Sequence, residues 1–169
     1  ARGIGAVNVI KFIRDGEIVR LKGYNSDAIG FENSLKPLLK SHHRKALILG
    51  TGGASKAIRY VLSTLGIETL FVSRSSGDGK ITYADLTEDI LSEYMLIVNA
   101  SPVGTFPHSN ECPDIPYDFI NENHLLYDVV YNPAETLFMK KGREHGAVVL
   151  NGEAMLIGQA EAAWEIWNR

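Results

Sequence analysis

The sequence predicts an α/β fold: a doubly wound parallel sheet, preceded by a β-hairpin that is the remnant of a second domain. Three observations carry this. From residue 45 onward, short continuous apolar runs alternate with segments of helical period, the pattern of buried parallel strands joined by helices. One of those runs passes directly into the glycine-rich stretch GTGGAS (50–55) and then into a helix pattern. The first 24 residues carry instead two β-rich runs joined by a turn, outside that alternation.

The elements follow in order. Residues 7–13 and 18–24 read as strands, and Asp15-Gly16 between them suits a tight turn because it tolerates positive φ. From Asp27 the period becomes helical, with Ala28, Phe31, Leu35, Leu38 and Leu39 in register; Pro37 predicts a kink or an early stop. KSHHRK (40–45) is a polar connector. Residues 45–50 form a buried strand, a helix runs from Ser55 to about Leu65 and stops at Gly66, and residues 67–74 form the second strand. SSGDG (75–79) reads as a loop, 86–94 as a short helix capped by Thr87, and 95–100 as another buried strand. The long loop 101–116 is of the kind that carries function or moves. A strand over 125–133 closes at Asn-Pro, a helix over 136–145 ends at Gly146, residues 147–152 hold the last strand, and 153–167 form a long, mostly apolar helix. Right-handed crossovers then place helices on both faces of the sheet. The expected organisation is residues 1–25 as the remnant of a substrate-binding domain, 26–152 as a nucleotide-binding domain, and 153–169 as a helix returning toward the substrate domain.

Composition narrows the class. The 169 residues are 45% hydrophobic and 22% charged, with a formal net charge of -3, so no basic surface argues for nucleic acid or an anionic membrane. No apolar run reaches the length of a membrane span. Cys112 is the only cysteine, which excludes an internal disulfide and fits a reducing, cytoplasmic setting. His42, His43, His108, His124 and His145 have no metal-ligand spacing, so no metal is expected.

The glycine-rich turn carries the chemistry. Gly50 permits the tight turn, Gly52 and Gly53 let the backbone approach a pyrophosphate, and Ser55 keeps the helix close to the strand. Ala54 stands just before the helix, whose free N–H groups and partial positive charge favour phosphate. Strand, GxGGxS, helix and strand in sequence favour dinucleotide binding, in a Rossmann-type fold, over a merely structural turn. The second strand ends VSRSS, with Ser73 and Arg74 where a site for NAD places a carboxylate for the ribose hydroxyls. Arginine pairs with a 2′-phosphate, so the expected cofactor is NADP(H), with Lys80 a candidate second contact.

Taken together, GAVN (5–8), GYNSDAIG (23–30), GTGGAS (50–55), SR (73–74), NASPVG (99–104), DVVYNP (128–133) and NGEAMLIGQ (151–159) resemble the shikimate dehydrogenases in order and spacing. GAVN followed by NSDAIG and a later ML-x-x-Q is the specific part of that likeness. The resemblance implies NADPH-dependent reduction of 3-dehydroshikimate to shikimate, a step of aromatic amino-acid biosynthesis. It implies that Asn8, Asp27, Tyr131 and Gln159 contact the substrate, with Asp27 paired to a catalytic lysine. Asn99, Ala100, Ser101 and Val103 would pass the ribose and nicotinamide end of the cofactor, and Val129, Gly152 and Met155 would lie near the nicotinamide ring. Where the family more often has Thr and Met, this chain has Ser101 and Thr105. The family's lysine lies upstream of GAVN, and none of Lys11, Lys22, Lys36, Lys40, Lys45 or Lys56 has its context. The chain is therefore expected to be the C-terminal portion of a longer enzyme, able to bind cofactor but inactive alone.

Each site residue has a plainer reading. Asp27 suits a helix cap, worth roughly 1 kcal/mol. Asn8 suits a hydrogen-bonded strand position, Tyr131 a core aromatic at a strand end, and Gln159 a polar position on a buried helix. Trp164 and Trp167 suit core or interdomain packing. Two other functions stand beside the main one: an NAD(P)-dependent quinate/shikimate dehydrogenase, against which Arg74 argues, and a non-catalytic dinucleotide-binding regulatory module. The uncovered hairpin is expected to promote self-association.

Overall fold

The computed structural model describes residues 1–169. β1 (Val9–Asp15) and β2 (Ile18–Tyr24) pair antiparallel, from Val9 opposite Tyr24 to Asp15 opposite Ile18. The turn is thus Gly16-Glu17, one residue later than the sequence implied. Gly16 takes the positive φ, 60°, that the first position of a type II′ turn requires. The register puts Ile10, Phe12, Val19 and Leu21 on one face, where Phe12 is 66% and Leu21 64% exposed. On the other face Val9 and Tyr24 pack against Ala163 and Ile166.

α1 (Ser26–Leu35) is capped by Asn25, not by Asp27. Strand β2 ends at Tyr24, so Asn25 is the residue in extended conformation, and its side chain accepts from the Ala28 N–H at 3.2 Å. Asp27 lies inside the first turn, where a negative charge still suits the helix dipole. Pro37 brings the early stop: Lys36–Leu38 tighten into a 3₁₀ turn.

Six parallel strands follow: β3 (Lys45–Leu49), β4 (Glu68–Ser73), β5 (Lys80–Thr82), β6 (Leu96–Asn99), β7 (Leu125–Asp128) and β8 (Val148–Leu150). Their spatial order is β5-β4-β3-β6-β7-β8. α2 (Gly53–Thr64), α3 (Glu88–Glu93), α4 (Leu137–Glu144) and α5 (Glu153–Asn168) complete the chain. β5 falls just after the loop 75–79, where sequence assigned no element; three residues are too few to display a period. β7 stops five residues short of Pro133, because the Val130 N–H turns back to Asp128 Oδ1 at 3.0 Å and leaves the ladder. The core lies on both faces of the sheet. Ala46 and Ile48 of β3 face Phe31, Ile58 and Leu62 of α1 and α2, while Leu47 and Leu49 face Leu91 and Phe138 of α3 and α4. No helix is long and apolar enough to cross a membrane.

Two features position the site. The direction of winding reverses between β3 and β6, so the chain diverges at their C-terminal ends and opens a crevice there. At the other end of the crevice, α1 and α5 cross at glycine. A Cβ on Gly30 would stand 2.4 Å from the Met155 carbonyl oxygen and 2.8 Å from the Gln159 nitrogen, so the helices meet backbone to backbone. Trp164 and Trp167, expected in packing, are mostly exposed; Trp167 Nε1 donates to the Ile10 carbonyl at 3.2 Å and ties α5 to the hairpin.

Gly30→Ala tests the crossing. Alanine favours the helix by about 1 kcal/mol over glycine, but a methyl forced against the backbone of α5 costs about 1–3 kcal/mol. The clash involves backbone that cannot swing aside, so the expected result is a lower midpoint of urea unfolding.

Candidate functional site

The glycine-rich turn sits at the reversal point. Gly50 has φ 101°, and a Cβ there would lie 3.3 Å from the Ser101 Cβ, so the turn after β3 and the loop after β6 touch. Ser55 is fully buried and its hydroxyl donates to the Gly52 carbonyl at 2.5 Å, closing the turn on the helix. α2 begins without a side-chain cap, which leaves its first N–H groups free. A Cβ on Gly52 or Gly53 would project into open space, so the backbone faces the crevice bare. That arrangement fits a diphosphate.

Beyond the turn lies a cavity of about 590 Å³ between Gly50, Gly52, Ser73, Arg74, Ser101 and Val103. Arg74 is exposed with no carboxylate in ion-pair range, so its charge is available to an anionic ligand. Tyr83 forms one wall; burial pushes its hydroxyl pKa up, with Arg74 pulling the other way. Cys112, Pro113 and Asp114, from the long loop flagged by sequence, form the other wall. Lys80 reaches Ser75 Oγ at 3.5 Å and does not line it.

The rim is held from below by buried polar groups. Asn99 is fully buried: its Oδ1 accepts from the Ser101 hydroxyl at 2.6 Å and N–H at 3.1 Å, and its Nδ2 donates to Asp128 Oδ1 at 3.0 Å. Asp128 also accepts from the Val130 N–H at 3.0 Å and the Thr136 hydroxyl at 2.7 Å. Thr136 in turn caps α4 by accepting from the Met139 N–H. Burial is the largest influence on Asp128 and pushes its pKa up to about 6, against the three hydrogen bonds that lower it.

Past Ser101 the crevice continues along Gly53, Ala54, Ala100, Val129 and Tyr131, and then into a cleft of about 320 Å³ that Ala54, Val129 and Tyr131 share with Asp27, Gly152, Met155 and Gln159. Tyr131 is not a core aromatic: it is exposed along this cleft. Gly152 is required sterically, since a Cβ would stand 2.0 Å from the Val129 carbonyl oxygen. Asp27 is half-buried; desolvation raises its pKa, and the Asn8 side chain opposes the rise. Asn8 lines no part of the cleft itself but bonds to Ser26, beside Asp27.

The structure therefore gathers most of the sequence-derived residues into one groove, with Asn99 buried beneath it and with Asn8 and Lys80 outside its lining. Ser26, Asp128, Thr136 and the wall residue Tyr83 were not singled out from sequence. Only Asp128 carried a signal, as the acid opening DVVYNP at the end of a buried strand. The histidines lie elsewhere: His43 and His124 bond to the carbonyls of Asn123 and Leu91, between connecting segments.

A Rossmann-type α/β fold with a bare phosphate turn at its reversal point is the class that this geometry defines. Within that class, curated homologues 31–38% identical to the chain are shikimate dehydrogenases (NADP(+)), which are oxidoreductases. One from Carboxydothermus hydrogenoformans is 38% identical over 99% of this chain. The chain spans 64% of that relative's length. Among solved structures, shikimate dehydrogenase from Aquifex aeolicus superposes with a TM-score of 0.82 at 33% identity, covering 99% of this chain and 63% of that one. The Thermus thermophilus shikimate 5-dehydrogenase, solved in complex with NADP(H) and shikimate, gives 0.80 at 29% identity over 98% of this chain and 63% of that one. No family model matches the chain.

Asp128→Asn isolates the buried carboxylate. The folded pKa is raised from 3.8 to about 6, so the wild type binds more protons folded than unfolded between those values and loses stability as pH rises through them. Asparagine does not titrate. Between about pH 4 and pH 7 the difference in unfolding free energy should move in favour of the variant by roughly 2 kcal/mol, at about 1.36 kcal/mol per pKa unit. His43 and His124, whose pKa values burial lowers, are common to both proteins and cancel. A constant difference across that range would contradict the assignment.

Proposed function

We propose that this chain forms the cofactor half, and part of the substrate site, of an NADPH-dependent reductase that converts 3-dehydroshikimate to shikimate. The observation that carries the proposal is the single groove with Arg74 at one end, the phosphate turn in the middle, and Asp27 with Gln159 at the other. That is the order of a 2′-phosphate, a pyrophosphate, a nicotinamide and a substrate. The names of the homologues support the reading, as does the neighbour solved with NADP(H) and shikimate.

The roles follow from chemistry. Arg74 and Ser73 hold the 2′-phosphate, which explains an arginine where an NAD site has an acid. Gly50, Gly52, Gly53 and Ala54 offer backbone N–H groups to the pyrophosphate. Ala100, Ser101 and Val103, held by Asn99, pass the ribose, and Val129, Gly152 and Met155 flank the ring. NADPH, when bound, supplies the hydride. Asp27, Tyr131 and Gln159 orient the substrate's hydroxyl groups, and Asn8 holds Ser26 beside Asp27.

Reduction also needs a proton at the carbonyl oxygen as negative charge develops there. Asp27 orients the donor, which the family likeness assigns to a lysine. No lysine lines the cleft at Asp27. The 169 residues assayed alone should therefore bind NADP(H) and turn over negligibly. Residues 1–25 and 153–169 fit the role of bridge to a substrate domain, because α5 packs on both α1 and the hairpin.

Calorimetric titration tests the cofactor assignment. The chain should bind NADP⁺ more tightly than NAD⁺, and Arg74→Ala should weaken NADP⁺ by roughly 10- to 100-fold, as loss of a charge-assisted hydrogen bond predicts, with NAD⁺ little changed. Equal affinity of the unaltered chain for both would sink the assignment, and brisk shikimate oxidation by the chain alone would sink the account of the proton donor.

A further inference from the structure

Ser26 is fully buried beside Asp27 and has no role in the scheme above. Its N–H donates to Asn8 Oδ1 at 2.8 Å, which turns the Asn8 amino group toward the Ser26 hydroxyl, 3.2 Å away. The same hydroxyl lies 3.3 Å from Gln159 Oε1. A serine hydroxyl has one proton to give and two lone pairs. Asn8 Oδ1 is farther, at 3.4 Å, and is already occupied by the backbone N–H. Ser26 therefore accepts from Asn8 Nδ2 and donates to Gln159 Oε1. With Ser26 holding its oxygen, the Gln159 amino group bonds to nothing in the chain and is free for the cleft that Gln159 lines.

We propose that Ser26 is a positioning residue that fixes the Gln159 amide as a hydrogen-bond donor toward an acceptor oxygen of the substrate. The cleft then presents a donor at Gln159 and an acceptor at Asp27, the pairing that recognises a polyhydroxylated ring. The chain of bonds runs from Asn8 through Ser26 to Gln159, so one buried hydroxyl ties the start of α1 to α5 at the cleft. This inference rests on reading the cleft as the substrate site.

The test uses the ¹⁵N-labelled chain with the Gln159 side-chain signals assigned by their loss in Gln159→Met. The unaltered chain should show Nε2 proton shifts displaced from free-glutamine values. Ser26→Ala should move them toward those values, and Ser26→Thr, which keeps the hydroxyl, should restore them. A titration of shikimate into the NADP⁺-saturated chain should show affinity falling about 5- to 10-fold in Ser26→Ala, the range for one neutral hydrogen bond, and recovering in Ser26→Thr, with NADP⁺ affinity unchanged. Unmoved Gln159 signals in Ser26→Ala, or equal shikimate affinity of the unaltered chain and Ser26→Ala, would overturn the proposal. If the signals respond as expected while the unaltered chain binds no shikimate, the positioning role stands and the substrate assignment falls.

Discussion

The C-terminal rim of the sheet depends on one buried carboxylate. Asp128 ends β7, and it gathers Asn99 from the end of β6, the Val130 N–H from the next segment, and Thr136 from the start of α4. Asn99 can hold Ser101 with its oxygen only because its amino group is spent on Asp128 and the Val103 carbonyl. The loop from Ser101 then packs against Gly50 and sets the width of the crevice. An ionised carboxylate in that place is expensive, as its raised pKa shows, and three donors offset much of the desolvation.

The Asp27 end of the groove depends on a different kind of constraint. Asp27 lies on α1 and Gln159 on α5, and their separation is set where the two helices meet without side chains at Gly30 and Gly158. Close backbone contact fixes the helices more firmly than interleaved flexible side chains would. Ser26 then links the two elements through hydrogen bonds. The Ser101 end thus rests on a polar network and the Asp27 end on steric contact, with Val129 and Tyr131 common to both halves of the groove.

Sequence made the scaffold legible wherever the signal was local. The apolar runs of β3, β6 and β7, the turn GTGGAS and the cap Thr87 all announce themselves within a few residues. Arg74 could be read because its meaning is fixed by its place at a strand end. What stayed hidden is long-range. The partners of Ser26 lie 18 and 133 positions away, and those of Asp128 include Asn99, 29 positions back. Gly30 looks like any helical glycine until α5 is placed against it. Asp27 was misread as the cap because the strand and helix overlap so tightly that Asn25 alone separates them. β5 went unseen because its three residues pair only at the sheet edge.

The central claim is that one continuous groove, built at the point where the sheet reverses, takes one dinucleotide along its length. Mapping backbone amide shifts of the ¹⁵N-labelled chain during titration with NADP⁺ tests it most directly. The account predicts a single saturable event that moves Gly50 to Ser55, Ser73 to Ser75, Ala100 to Gly104 and Val129 to Tyr131 together. Shifts confined to the hairpin or to the opposite edge of the sheet, or separate affinities at Arg74 and at Tyr131, would contradict it.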